Sequence, residues 1–132
     1  MAKVLLIAAG GAIGVALRYA LAAPIQRPFA DAFPVGTLTV NIAGCFLIGL
    51  LATLFAGPVP LREEHRLALL AGVLGGFTTF SAFALEALAL VQRGHTGRAA
   101  AYIAASNILG LAACWAGWRL ASLWSAPPAP VA

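Results

Sequence analysis

Four long apolar stretches constrain the fold of this chain more than any other feature of its sequence. They are residues 4–21, 35–56, 67–90 and 99–118. Each approaches the roughly 20 residues that a helix needs to cross the hydrocarbon core of a bilayer. Only 9% of the 132 residues are charged and 62% are hydrophobic, whereas a soluble domain carries about a quarter charged residues. We therefore predict an all-α, multi-pass protein of the cell membrane, with the lipid bilayer as its solvent.

Short connectors and a tail account for the rest of the chain. The connectors, marked by proline and charged residues, are residues 24–34, 57–66 and 91–98. They leave no room for a soluble domain, so we predict one transmembrane unit over residues 1–124 and a disordered, proline-rich tail over residues 125–132.

The first stretch has an alternative interpretation as a cleaved signal peptide. Lys3 precedes its apolar run, and Ala20 and Ala22 are small residues of the kind found at cleavage sites. Arg18 interrupts the run, however, and three further spans follow it. These features favour a retained transmembrane helix.

The basic residues divide evenly between the two membrane faces. One face would carry Lys3, Arg62, Arg66 and Arg119, and the other Arg18, Arg27, Arg93 and Arg98. Orientation follows the excess of Lys and Arg in cytoplasmic loops, and four against four is no excess. We predict insertion both ways, with two opposite copies paired about an axis in the membrane plane. The alternative is that one strongly charged loop fixes a single orientation. The net charge of +4 flanks the membrane, and we expect no nucleic-acid partner.

The third stretch contains a segment that disfavours a continuous helix. Gly75 and Gly76 are followed by the β-branched residues Thr78 and Thr79, which together make a poor helix centre. We predict a break near Gly75–Thr79, whose freed carbonyls cannot face lipid unsatisfied and suit a hard cation such as sodium. The alternative is a continuous helix in which the threonine hydroxyls bond to the preceding turn.

Small residues at GxxxG spacing occur twice, as Gly10 with Gly14 and as Gly72 with Gly76. This spacing lets helix backbones approach closely in lipid. From the sequence alone, the contact is as compatible with packing inside one subunit as with a dimer interface.

Neutral hydrogen-bond donors recur within the spans. They are Thr37 and Asn41 in the second span, Thr79 and Ser81 in the third, and Tyr102, Ser106 and Asn107 in the fourth. No lysine or arginine lies in the middle of a span. A row of uncharged donors suits a small anion that must shed its water and still leave quickly.

Two aromatic and two charged residues accompany these donors. Phe80 and Phe83 lie three apart, so inward-facing ring edges would offer weak positive charge to an anion. Glu86 is the one acid well inside a span, and because a charge is costly in lipid we expect it to face a wet vestibule. Arg18 is expected to do likewise or to extend towards the headgroups.

Other functional classes fit the sequence less well. A proton-coupled exporter of the small-multidrug-resistance type also has four short spans, but it needs a carboxylate in its first helix, and this chain has none there. No enzyme constellation occurs, since His65 and His95 lie in loops without partners at ligand spacing. We interpret Cys45 and Cys114, both within spans, as packing residues.

Several motifs, in this order, resemble the small fluoride channels of microbes called Fluc or CrcB. The first span carries Gly10-Gly11, Gly14 and Arg18-Tyr19, and the second carries Gly36-Thr37-Leu38, Val40-Asn41 and Gly44. The third carries the run from Gly75 to Phe83, followed by Glu86. The resemblance covers essentially the whole chain.

This resemblance implies an antiparallel homodimer with two fluoride pores, each lined by both subunits. It implies that Asn41 lines the pore, that Phe80 and Phe83 contact fluoride, and that carbonyls of Gly75 and Thr78 from both subunits hold a central structural sodium ion. It also matches three further pathway positions, namely Thr37, Tyr102 and Ser106. Ala82 and Gly110 depart from the family pattern, because many relatives carry a hydroxyl at the first and Gly110 offers none. The polar track would then be shorter, with Asn107 as the candidate substitute.

Overall fold

The computed structural model of the chain describes residues 1–29, 32–57, 59 and 61–124. The predicted disordered tail, residues 125–132, lies outside this range. Four helical spans within the described residues are long and apolar enough to cross a membrane, namely Ala2–Phe29, Val35–Ala56, Glu63–Gln92 and Thr96–Ser122. The prediction of a multi-pass, all-α membrane protein with four transmembrane helices is confirmed.

Three of the spans are single helices, and the third is assembled from pieces. The single helices are α1 (Ala2–Gln26), α2 (Val35–Ala56) and α6 (Thr96–Ser122). The third span comprises α3 (Glu63–Leu67), a π-helix (Ala68–Leu74), α4 (Gly75–Phe77) and α5 (Phe80–Gln92).

The first connector begins later than the sequence indicated. We expected it to start at Pro24, but α1 includes Pro24 and continues to Gln26, so that prediction is wrong. Proline lacks the amide that would bond to the carbonyl four residues earlier. In the last turn only that one bond is lost, and the Arg27 amide still bonds to the Ala23 carbonyl.

Short connections make successive spans run in opposite directions. The spans therefore alternate, and α2 runs parallel to α6. We call the membrane face where α1 begins the N-terminal face, and the face where α6 begins the far face. Within the subunit, α1 packs mainly against the third span and α2 mainly against α6.

The two GxxxG pairs lie against each other, Gly10 and Gly14 on α1 and Gly72 and Gly76 on the third span. A Cβ added at Gly76 would lie 2.5 Å from the carbonyl oxygen of Gly11, and one added at Gly14 would overlap the backbone of the third span. The sequence was compatible with packing inside one subunit or with a dimer interface, and in the structure these glycines pack inside one subunit.

Glycines also set the register between the parallel helices α2 and α6. Gly49 lies against the backbone of Cys114, and one turn earlier the thiol of Cys45 lies beside Gly110. Each pair is offset by 65 positions in the chain. The same offset places Asn41 of α2 level with a serine of α6, Ser106.

Candidate functional site

The third span is broken at its two threonines. Thr78 has φ −89° and ψ 160°, and Thr79 has φ −152° and ψ 117°, so both are extended between α4 and α5. Gly75 is helical, with φ −63° and ψ −36°. The predicted break is confirmed, and it lies at the threonine end of the predicted interval.

Asn41 compensates for the lost helical bonds at the break. Its Nδ2 donates to the Thr79 carbonyl at 3.0 Å, and the Thr79 amide donates to its Oδ1 at 2.8 Å. The side chain of Thr79 then begins the next helix, because its Oγ1 accepts from the Ala82 amide at 3.2 Å. One side chain from α2 thus supplies the polar partners that an interrupted helix needs inside a bilayer.

The break diverts two amides away from two carbonyls. In a continuous helix the Thr79 amide would bond to the Gly75 carbonyl, and the Ala82 amide to the Thr78 carbonyl. Both amides donate instead to side-chain oxygens, those of Asn41 and Thr79. The hydroxyl of Thr78 donates to the Leu74 carbonyl at 3.1 Å. This is the bond to the preceding turn that we also expected for a continuous helix.

A groove of about 290 Å³ opens beside the break, between α2, the third span and α6. It brings together eight of the residues that the sequence singled out, namely Asn41, Gly75, Thr78, Thr79, Phe80, Phe83, Ser106 and Asn107. The groove also contains Cys45, which sequence reasoning had assigned to packing alone. Neutral donors and aromatic carbon therefore share one surface.

The polar groups of α6 differ in how they are satisfied. The Ser106 Oγ is buried and has no hydrogen-bond partner among the described residues, although it lines the groove. Asn107 is exposed and donates to the Ile103 carbonyl of its own helix at 2.7 Å. Ser81 is exposed and lies 3.4 Å from the Thr79 hydroxyl, outside the set of groove residues.

Aromatic rings lead from the groove towards the far face. Phe80 is 78% exposed and its ring centroid lies 5.3 Å from that of Phe83, which is 9% exposed. The Phe83 ring lies 5.2 Å from the fully buried Tyr102 ring, and Tyr102 meets Phe33 edge-on at 5.5 Å. The two phenylalanines predicted to act alike thus have different surroundings.

Glu86 joins two of the predicted pathway hydroxyls. Its carboxylate accepts from the Thr37 hydroxyl and from the Tyr102 phenol, each at 2.7 Å. Sequence reasoning named all three residues but missed this cluster, because the partners lie 49 and 16 positions away in the chain.

A second concavity, of about 380 Å³, lies on the far-face side of the break. Its lining includes Arg18, Thr37, Thr79 and Glu86, so Arg18 and Glu86 line one space, whereas Asn107 lines the groove. Arg18 is half-buried and, within the described part of the chain, makes no hydrogen bond or ion pair. Thr79 lines both spaces, so the groove and this vestibule both border the break.

Gln26 is a residue of this region that the sequence analysis did not identify. Its Oε1 accepts from the Gly36 amide, and its Nε2 donates to the Phe33 carbonyl, both at 3.0 Å. The side chain thereby joins the end of α1 to the start of α2 beside the vestibule. An uncharged polar residue shortly after an apolar stretch was the available signal.

Comparisons with known proteins agree on one family. The family model described as CrcB-like protein, Camphor Resistance (CrcB), matches residues 5–118. A protein of Methylobacillus flagellatus named fluoride-specific ion channel FluC is 46% identical over 93% of this chain and 97% of its own length. Proteins of the same name from Rhizobium etli and Cereibacter sphaeroides are 50% and 44% identical, over 89% and 96% of this chain and 94% and 99% of their own lengths. The chain therefore belongs to the CrcB family.

Proposed function

We propose that this protein is a fluoride-selective, passive ion channel that lets cytoplasmic fluoride leave the cell. The observation that carries the proposal is the groove at the helix break, which brings together neutral donors, aromatic rings and the Ser106 hydroxyl, which has no partner in the described part of the chain. The relatives named as fluoride-specific channels match nearly the full chain. The activity is conduction down a gradient and not catalysis.

The donors in the groove are suited to fluoride. An amide nitrogen has two N–H groups, so Asn41 can hold Thr79 with one and offer the other to an ion. Its two bonds to Thr79 fix where that second N–H points. Few, rigid donors in a narrow path favour a small anion over the larger chloride, and without a fixed cation the ion is not held too tightly to leave.

Fluoride efflux from liposomes tests whether transport is passive. A channel that moves the anion alone builds up a potential, so vesicles loaded with potassium fluoride should retain it until valinomycin lets potassium out. We expect rapid efflux that starts on valinomycin addition. Efflux that ignores valinomycin and follows a proton gradient would indicate proton-coupled export, and folded protein that releases no fluoride would exclude a fluoride channel.

We propose further that two copies in opposite orientations form the channel. The groove is open at the subunit surface, and Gly75 and Asn107 within it and Ser81 outside it are exposed. Polar groups of this kind are costly against lipid, so a second copy is the natural cover. The even division of basic residues permits opposite insertion, and a two-fold axis in the membrane plane would produce two equivalent pores.

A structural sodium ion fits the break. The carbonyls of Gly75 and Thr78 are two whose helical donors turn away, to Asn41 and to the Thr79 hydroxyl. Carbonyl oxygens suit a hard cation, and two copies would bring together four of them. When bound, the ion would supply positive charge between carbonyls that otherwise repel one another.

Native mass spectrometry of the protein, extracted in sodium and sprayed from ammonium acetate, tests both proposals. We expect a dimer that retains one sodium ion. An intact dimer without bound sodium would contradict the ion site, and a protein that is monomeric in mild detergent and also conducts fluoride would contradict the dimer.

A further inference from the structure

Cys45 lies in the groove one turn beyond Asn41, on the side that leads to the N-terminal face. Asn41, Cys45 and Ile48 all line the groove, as expected for positions i, i+4 and i+7 on one helix face. The Cys45 thiol lies beside Gly110, since a Cβ added there would be 3.4 Å from its Sγ. The Cys45 thiol is therefore level with Gly110, a position of α6 that carries no hydroxyl.

The rest of this end of the groove is apolar. One turn or more beyond Asn41 and Ser106, the lining comprises Cys45 with the hydrocarbon side chains of Ile48, Leu70 and Leu74. Among these groove residues only the thiol can donate a hydrogen bond. One turn before Cys45, the Ser106 hydroxyl lines the same groove, is buried and has no hydrogen-bond partner among the described residues, which independently indicates that a ligand passes at the adjoining level.

We propose that Cys45 is a pathway residue whose thiol replaces the hydroxyl missing at Gly110, as the last donor before the apolar end of the groove. This inference rests on the proposed fluoride channel. It adds to that channel one residue that lines the ion pathway, and a thiol at which the pathway can be chemically modified. An adduct on Cys45 would stand directly in the path of the ion.

Methylmercury is a suitable probe, because soft metals prefer sulfur ligands. The reaction forms a sulfur–mercury bond, breaks the S–H bond and releases the proton to water, so no oxidant is needed. Cys114 is the matched control. It is also free and half-buried, but its backbone packs against Gly49 and its side chain is not part of the groove lining.

Fluoride efflux is measured before and after methylmercury treatment of proteoliposomes, with adducts located by mass spectrometry. We expect treated wild-type protein and the Cys114→Ala variant to lose fluoride efflux by about tenfold or more, and Cys45→Ala to keep its own untreated rate. Wild-type efflux that survives treatment, or a block that disappears only in Cys114→Ala, overturns the inference. Untreated wild-type protein that conducts no fluoride would instead contradict the proposed function.

A second pair of variants separates the donor from the space it fills. Cys45→Ser keeps a hydrogen-bond donor and should conduct fluoride about tenfold faster than Cys45→Val, which removes the donor. The same pair at Cys114 should leave efflux unchanged. Equal rates for Cys45→Ser and Cys45→Val, in protein of equal thermal stability, would show that the thiol only packs.

Discussion

Phe80 and Phe83 lie three residues apart on α5 but face different surroundings. The Phe80 side chain is 78% exposed at the groove, whereas Phe83 is 9% exposed and packs between Phe80 and Tyr102. Their aromatic spacing suggested equal roles. The structure instead gives Phe80 a surface that an ion or a second subunit can reach, and makes Phe83 part of the core as well as of the groove.

This difference predicts two distinct mutant phenotypes. Phe80→Ala should reduce fluoride efflux by at least about tenfold while its melting temperature stays close to that of wild type, since little buried area is lost. Phe83→Ala should reduce efflux and also destabilise the fold by about 3–5 kcal/mol, the usual cost of emptying a buried aromatic site. Circular-dichroism melting in detergent, beside liposome efflux, separates them. Equal melting temperatures for the two variants would contradict the assignment.

For Glu86, the sequence indicated a need for polar surroundings but not which residues supply them. The cost of a charge in lipid led us to expect polar surroundings for this carboxylate, and two hydroxyl groups donate hydrogen bonds to it. The identity of its partners, Thr37 and Tyr102, depends on how α2 and α6 pack around α5. No local pattern encodes that arrangement.

At the scale of the elements, the broken span could be predicted but its cause could not. The sequence correctly located the break near Gly75–Thr79, yet the glycines remain helical and the threonines are extended. Gly76 is needed because its bare backbone lies against Gly11 of α1. The break itself depends on Asn41 of another helix, which satisfies the Thr79 backbone. Helix propensity describes single residues, so it cannot reveal a partner on another helix.

The packing of α1 on the third span predicts a sharp contrast between neighbouring glycines. A methyl group at Gly14 would meet the backbone of Val73 and Phe77, whereas one at Gly11 has only the Gly72 carbonyl, at 4.0 Å. Gly14→Ala should therefore destabilise the protein by about 1–3 kcal/mol, the usual cost of overpacking. Gly11→Ala, the matched control, should be neutral or slightly stabilising because alanine favours helix.

Thermal unfolding of both glycine variants in detergent checks this contrast. A Gly14→Ala variant as stable as Gly11→Ala would mean that α1 does not lie this close to the third span. The internal GxxxG contact would then have to be reassigned to another partner.

At the scale of the whole molecule, one subunit presents an incomplete surface. Its groove is open, exposed polar atoms lie beside it, and its basic residues are balanced four against four between the faces. The number of spans and this balance could be read from the sequence. The open groove could not be predicted, because it arises where α2, the third span and α6 meet.

The balance of basic residues between the two faces predicts that variants biased towards opposite orientations will restore each other's fluoride efflux. One double variant, Arg62→Gln with Arg66→Gln, keeps two basic residues on the N-terminal face and four on the far face. The other, Arg93→Gln with Arg98→Gln, has the opposite bias. Each double variant should insert one way only, and should lose fluoride efflux when expressed alone. Co-expression should restore efflux, because opposite copies can again pair.

Liposomes made from each expression provide the measurement. Undiminished efflux from either double variant alone, once protease accessibility has shown a single orientation, would contradict the antiparallel arrangement. Failure of co-expression to restore efflux, with both variants present in the membrane, would do the same.

The proposed channel conducts fluoride and rejects chloride. The most direct measurement is the release of both ions from the same proteoliposomes, loaded with equal potassium fluoride and potassium chloride, opened with valinomycin and followed by two ion-selective electrodes. We predict that fluoride leaves rapidly and that chloride stays inside. Release of both ions at similar rates would contradict selectivity, and release of neither from folded protein would contradict conduction itself.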